Sequence, residues 1–284
     1  MICRCLTAER GGASLQDMAE SRVVTLTTDF GLQDPFVGIM HGVVLNIAPE
    51  ARIVDVCHSV QSFDVLDGAL IIAQAYRYFP ARTIHVVVVD PGVGSERRAI
   101  LAETEQYAFV APDNGVLSLV EAREPRFTVR HITADRYFLQ PVSQTFHGRD
   151  IFSPVAGWLS KGIAPADFGP EITNHVRLNL PRVERDGDRS LTGAVIRVDK
   201  FGNLITNLTE SDAARLFATP EAAKLTIAGR LITRICRSYA DGRDQELFAV
   251  VGSSGLVEIA LRQASAAEKL RVGSGETVTA SFGD

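Results

Sequence analysis

Three short stretches of this sequence carry residue types that could act on a small molecule: TTDFGLQDPF (27–36), DPGVGSERR (90–98) and FHGRDIFSP (146–154). In the first, Asp29 directly follows a β-branched run. A carboxylate there can accept two hydrogen bonds from a ribose diol, and it can equally cap the following turn. In the second, glycines at 92 and 94 allow backbone to approach a ligand closely. A phosphate cradle is one reading, although the pattern is neither GxGxxG nor GxxxxGK[ST]. Asp90 and Arg97 stand at the two ends of this tight loop. If it folds back they pair, either facing a cleft or as a surface salt bridge of little energetic value. In the third, His147 stands beside Gly148, Arg149 and Asp150, ahead of a run with helical spacing. A lone histidine serves structure as readily as catalysis. His58 in VCHSV is equally ambiguous, since it can simply hydrogen-bond a neighbouring loop. The sequence has no HExxH and no paired CxxC, so no metal site is expected, and no GxSxG nucleophile elbow.

The elements that position these residues follow from periodicity. Val23–Thr28 is a β-branched run, and Gly31–Pro35 reads as a turn. Val37, Met40, Val43, Val44 and Ile47 keep helical spacing up to Pro49. Ile53–Val56 predicts a second strand, and Asp67–Phe79 a helix closed by Pro80. Thr83–Val89 is almost continuously apolar, as expected of a strand buried on both faces. Ile100–Glu103 and Tyr107–Ala111 read as further strands. Strand–helix–strand alternation predicts an α/β unit, with a largely parallel sheet flanked by helices. Ligands of such sheets bind at the carboxyl ends of the strands, where the three stretches fall.

Composition shifts near residue 180, and Leu180–Ser190 reads as a linker. Beyond it, Leu191–Val198, Leu204–Leu208, Lys224–Ile227, Leu247–Val251, Leu256–Leu261 and Thr277–Phe282 read as short strands. Helical segments interrupt them at Ser211–Phe217 and Ala264–Leu270. That predicts a smaller C-terminal β domain, antiparallel and barrel-like. The expected organisation is a disordered extension over 1–22, an α/β domain over 23–180 and a β domain over 191–284.

The chain has 284 residues, enough for two domains at about 100–200 residues each. The hydrophobic share is 46% and the charged share 22%, as in ordinary globular enzymes. A net charge of −5 argues against nucleic acid and anionic membrane as partners. No apolar run approaches the ~18–20 residues that span a bilayer. Cys3, Cys5, Cys57 and Cys236 are few and scattered, which points to a reducing cytoplasm. The first residues lack the long apolar stretch of a signal peptide, and Met18 is a candidate start.

Six segments together resemble one family: TTDFGLQDPFVGIMHGVV, IVDVCHSV, HVVVVDPGVGSERRAI, YAFVAPDNGVL, TFHGRDIFSP and DKFGNLITNL. The chain is similar to the adenosine-forming S-adenosylmethionine hydrolases, or SAM hydroxide adenosyltransferases, relatives of the bacterial fluorinase and chlorinase. The resemblance runs from about Val23 into the C-terminal strands. It implies an α/β N-terminal domain with a β C-terminal domain. It also implies a homotrimer, with substrate held between the N-terminal domain of one subunit and the C-terminal domain of its neighbour. It implies no cofactor.

The implied reaction is attack of water or hydroxide at the ribose C5′ of S-adenosylmethionine, giving adenosine and L-methionine. The sulfonium is already a good leaving group, so the difficulty lies in the nucleophile. By resemblance, the catalytic set falls on Asp90, Arg97 and His147. Arg97 would supply a positive field, Asp90 would orient it, and His147 would fix the water or take its proton. Substrate contacts fall on Asp29 for the ribose diol, Asp34 in the same loop, and Phe63 as an aromatic wall. In the second domain Asp199 would face the methionine amine, Phe201 would stack on adenine and Asn203 would bond the base edge. Ser253 and Glu258 complete the binding stretch. Position 254 is Ser where fluorinase-like relatives carry Arg, and LRQASAA lacks the Asn of many relatives.

Two other functions fit parts of the pattern. A halogenase would use the same substrate, but a carboxylate at Asp90 would repel a halide. A binding sensor without turnover would have no use for three buried polar groups that cost desolvation energy.

Overall fold

The computed structural model describes residues 22–218 and 223–282. Met18, Cys3 and Cys5, and the extension proposed for 1–22 except Arg22, lie outside the described residues. The chain divides into two compact units between Arg177 and Leu178.

The first unit is built on a seven-stranded mixed sheet in the order β2-β1-β3-β5-β4-β6-β7. Its strands are β1 (Val23–Thr28), β2 (Arg52–Cys57), β3 (Ile84–Val88), β4 (Ala99–Glu103), β5 (Ala108–Pro112), β6 (Thr128–His131) and β7 (Glu171–Ile172). The expected parallel core is present in the β2-β1-β3-β5 pairings. From β4 outward the pairings are antiparallel. The reason is local. Only a tight turn joins β4 to β5, where the Thr104 N–H donates to the Tyr107 carbonyl at 2.9 Å. A parallel crossover needs about a dozen residues or more. β6 and β7 lack the length and apolar density that marked the other strands.

Every residue of β3 is buried, and its side chains serve two cores. Val86 and Val88 join Leu26, Met40, Val44, Phe152 and Val155, beneath helices α1 (Phe36–Ile47) and α4 (Ser153–Ser160). On the other face Val87 joins Ile72, Tyr76, Phe109 and Val120, beneath α2 (Val65–Ala75) and α3 (Ser118–Glu121). Two of the helix ends are set by particular residues. Asp64 caps α2 by accepting the Asp67 N–H at 3.0 Å, and α1 ends at Ala48 because Pro49 follows.

The second unit is a nine-stranded, largely antiparallel sheet of barrel-like form. Its strands are β8 (Glu184–Asp186), β9 (Ser190–Val198), β10 (Leu204–Thr209), β11 (Ala223–Ile227), β12 (Arg230–Ile232), β13 (Arg234–Ile235), β14 (Leu247–Val251), β15 (Leu256–Leu261) and β16 (Thr277–Phe282). The order is β12-β11-β16-β9-β10-β15-β14-β13, with β8 also on β9. The segment read as a linker thus contains β8, because Glu184–Asp186 turns back on β9 in a hairpin. Two short helices, α5 (Ala214–Ala218) and α6 (Ala266–Leu270), accompany the sheet. Leu191, Val195, Leu204, Ile227, Ile259 and Val278 fill its core.

Among the described residues no helix is long and apolar enough to cross a membrane.

Candidate active site

Parallel β1, β3 and β5 bring their carboxyl ends to one edge of the sheet. Asp29 follows β1, Asp90 follows β3, and Asp113–Asn114 follows β5. The Asn114 amide donates to the Val89 carbonyl at 2.8 Å and ties two of these ends together.

The loop after β3 folds back on itself. Val93 N–H donates to the Asp90 carbonyl at 3.2 Å, and Ser95 N–H and Oγ both donate to the Gly92 carbonyl. Gly94 takes φ +78°, and a Cβ there would lie 2.2 Å from the Gln144 carbonyl oxygen. This glycine therefore serves the close packing of the loop against the segment that leads to His147.

The fold-back pairs Arg97 with Asp90 through two hydrogen bonds, Nε to Oδ1 at 2.9 Å and Nη2 to Oδ2. Their side chains are only 10% and 5% exposed, so this is not a surface salt bridge. Nη2 also donates to Nδ1 of His147 at 2.6 Å. The guanidinium carbon sits 5.3 Å from the ring centroid of Phe152. Burial, and then the Arg97 charge, lower the His147 pKa, against smaller opposing effects of Asp90, Asp150 and a hydrogen bond to the Ser143 backbone.

His147 is held by its neighbours. It precedes a π-helical turn, Gly148–Phe152, that leads into α4. The fully buried Asp150 accepts the Ser143 N–H at 2.8 Å and two Arg149 nitrogens at 2.6 and 2.9 Å. Phe146 meets Phe30 and Phe36 edge-on, with centroids 6.0 and 5.2 Å apart. This aromatic group joins the Asp29 turn to the His147 turn.

Asp29 Oδ2 accepts the Phe63 N–H at 2.9 Å. Phe63 reaches it in a left-handed conformation, φ 66°, with its ring 74% exposed. Such a φ is costly for a residue with a Cβ and marks a site worth attention. Asp34 is exposed in the turn ahead of α1 and makes no side-chain hydrogen bond among the described residues.

In the second unit, Asp199, Phe201 and Asn203 line a cavity of about 720 Å³ together with Tyr239 and residues 261–265. Asp199 shapes the β9–β10 turn. Its Oδ1 accepts the Phe201 and Asn203 N–H groups and its Oδ2 the Asn203 amide, all at 2.9 Å. Phe201 is left 75% exposed, an open aromatic face. Glu258 does not line the cavity. It accepts the Tyr239 hydroxyl at 2.5 Å from behind, and burial, with Asp199 nearby, raises its pKa. Ser253 is exposed on the β14–β15 turn, away from the lining.

Sequence reading did not single out Tyr239 or Asp150 as site residues. Tyr239 lies in RSYADG, which has no periodic or motif signal, and its place in the cavity wall depends on Glu258, far along the chain. Asp150 stands in FHGRD, where an adjacent arginine and aspartate give no sign of which is buried.

The sequence matches the SAM hydroxide adenosyltransferase N-terminal domain over residues 24–169 and the C-terminal domain over 193–279. The chain belongs to the SAM hydroxide adenosyltransferase family. It is 37% identical to the (R)-S-adenosyl-L-methionine hydrolase of Salinispora tropica, over 94% of this chain and all of that one. The crystal structure of an uncharacterized conserved protein of Thermotoga maritima superposes with a TM-score of 0.84 at 32% identity. That match covers 91% of this chain and 99% of the other. A fluorinase of Nocardia brasiliensis is a more distant relative, 24% identical over 92% of this chain and 97% of its own length. Within this family, the clustered polar groups at the end of β3 are the natural candidates for the chemistry.

Proposed function

We propose that the protein hydrolyses S-adenosyl-L-methionine to adenosine and L-methionine. The observation that carries this reading is the interlocked Asp90–Arg97–His147 set at the end of β3. Hydroxide attacks the ribose C5′ opposite the sulfur. A C–O bond forms, the C–S bond breaks, and its electron pair returns to sulfur, which leaves as a neutral thioether. Departure needs no acid, so the residues act on the nucleophile.

Arg97 is all donor, so His147 Nδ1 accepts from it and the neutral ring carries its proton on Nε2. The Arg97 Nη1, which makes no hydrogen bond among the described residues, is a donor available to a bound water, and the His147 N–H is a second, shared with the Ser143 backbone. Aimed donors in a dry site favour hydroxide over water and lower the water's pKa. Asp90 orients the guanidinium and balances its charge. Each tenfold gain in rate needs about 1.4 kcal/mol, within reach of one or two such bonds.

Substrate binding divides by chemistry. Asp29 takes the ribose diol, with Asp34 in the same loop and Phe63 as a wall. Phe201 stacks on adenine and Asn203 bonds the base edge. Asp199 faces the methionine amine with lone pairs its turn does not use; Glu258 acts on that cavity through Tyr239, and Ser253 is assigned to the binding stretch by the motif resemblance alone. The substrate epimer is the (R)-sulfonium, as in the names of the relatives. The working form is a cytoplasmic homotrimer, a reading supported by the motif resemblance and tested by light scattering.

The first test incubates purified protein with each sulfonium epimer, with and without chloride, and separates the products. Adenosine and methionine, independent of chloride and lost in Arg97→Ala, are expected. A 5′-chloro product would replace this reading with halogenation. Tight binding without product would make the protein a sensor.

A further inference from the structure

The segment Asp55–Phe63 grips the Asp29 turn at several points, and His58 is the centre of that grip. The Thr28 hydroxyl lies 2.8 Å from Nδ1 of His58, and the Phe30 N–H donates to the same hydroxyl oxygen at 3.2 Å. The Gly31 N–H donates to the His58 carbonyl at 2.7 Å. Asp55 Oδ1 lies 2.9 Å from Nε2 of His58 and 2.8 Å from Nε2 of His41. A carboxylate beside Nε2 favours the proton there, so Nδ1 accepts the Thr28 hydroxyl proton and that oxygen is left to accept from Phe30. The Thr28 hydroxyl thus donates to His58 and accepts from Phe30, tying the buried imidazole to the backbone on the far side of Asp29.

The side chain of His58 is only 4% exposed, so it does not meet a ligand directly. The carboxylate it would serve is next to Thr28. Asp29 is held on its other side by the Phe63 N–H. Fixing Thr28, Phe30 and Gly31 leaves Asp29 little freedom to turn away.

The geometry points to His58 as a positioning residue that sets Asp29 for recognition of a ribose 2′,3′-diol. This rests on the reading of Asp29 given under Proposed function. A carboxylate off target by about 1 Å loses most of a directional hydrogen bond, so the effect concentrates on the diol and spares the rest of the ligand.

The test compares binding of adenosine and 2′-deoxyadenosine by titration calorimetry, alongside thermal unfolding. Wild type is expected to prefer adenosine by roughly tenfold or more, the value of a charged hydrogen bond. Asp29→Ala abolishes that preference. His58→Ala abolishes it as well, while His58→Asn, whose amide oxygen can accept the Thr28 hydroxyl, restores most of it. Thr28→Val, nearly isosteric at a fully buried site, provides the same readout if His58→Ala fails to fold. Loss of thermal stability with the preference intact in His58→Ala, or in Thr28→Val, would overturn the inference and leave His58 purely structural. No preference in wild type, or an unchanged one in Asp29→Ala, would instead overturn the ribose reading of Asp29, and the inference with it.

Discussion

Arg97 holds His147 by the nitrogen that a general base would be expected to keep for orientation: Nη2 lies 2.6 Å from Nδ1. The guanidinium never accepts, so the neutral imidazole keeps its proton on Nε2, where the Ser143 backbone and a bound water can share it. Of the two roles open to His147 in the sequence, fixing the water and taking its proton, the hydrogen bonding favours the first.

The pH–rate profile tests that assignment. The His147 pKa is lowered by burial and by Arg97, so the ring is neutral around pH 7. With hydroxide as nucleophile, log(kcat/KM) keeps rising above neutral pH. His147→Ala lowers the line by about a hundredfold, the usual effect of losing one aimed donor, without changing its slope. A wild-type plateau that becomes a slope only in the mutant would make His147 the base.

Arg97→Ala carries a stability cost as well as a loss of turnover. It strands Asp90, whose side chain is 5% exposed, without its counter-ion. Breaking a buried pair costs about 3–5 kcal/mol, measurable as a shift in the urea midpoint. Asp90→Asn combined with Arg97→Gln should recover most of that stability but none of the activity. An Arg97→Ala protein as stable as wild type would contradict the burial of the pair.

Gly94 and Gly92 should behave differently when changed to Ala. At Gly94 the new Cβ meets the Gln144 carbonyl at 2.2 Å with φ +78°, so the loop must move away from the His147 segment. Strain of this kind is worth about 1–3 kcal/mol, and kcat should fall as Arg97 shifts. At Gly92 the nearest atoms are 3.4 Å or more away, ordinary contact, and the effect should be small. Equal effects in unfolding and turnover assays would remove the special place given to Gly94.

His85 sets part of the acid limit of the fold. It stacks on Phe109 at 5.0 Å, and its Nδ1 is 2.7 Å from the Thr25 hydroxyl. Burial pushes its pKa from 6.5 down to about 3. The folded ring stays neutral while the unfolded one protonates, so its contribution is complete above pH 6.5 and falls away toward pH 3. His85→Gln, which does not titrate, should weaken the protein near neutral pH and flatten the decline of the urea midpoint below it. An unchanged acid slope would assign that decline to other groups.

Much of this protein is written locally in its chain. The apolar run of β3, the helical spacing of α1 ahead of Pro49, and the polar residues at strand ends need only neighbouring residues to be recognised, because periodicity and turn chemistry act over a few positions. The short turn between Glu103 and Ala108 even requires an antiparallel pair there, within a sheet whose core is parallel. Tertiary structure decided the pairings across long separations. It brought His147 to Arg97, fifty positions earlier, and folded Phe63 into a left-handed turn against Asp29. It committed Asp199 to its own turn and set Tyr239 against Glu258. A carboxylate or an imidazole looks the same in sequence whatever it faces. Its partner is selected only when packing of the sheet and helices removes water and leaves one donor or acceptor within reach.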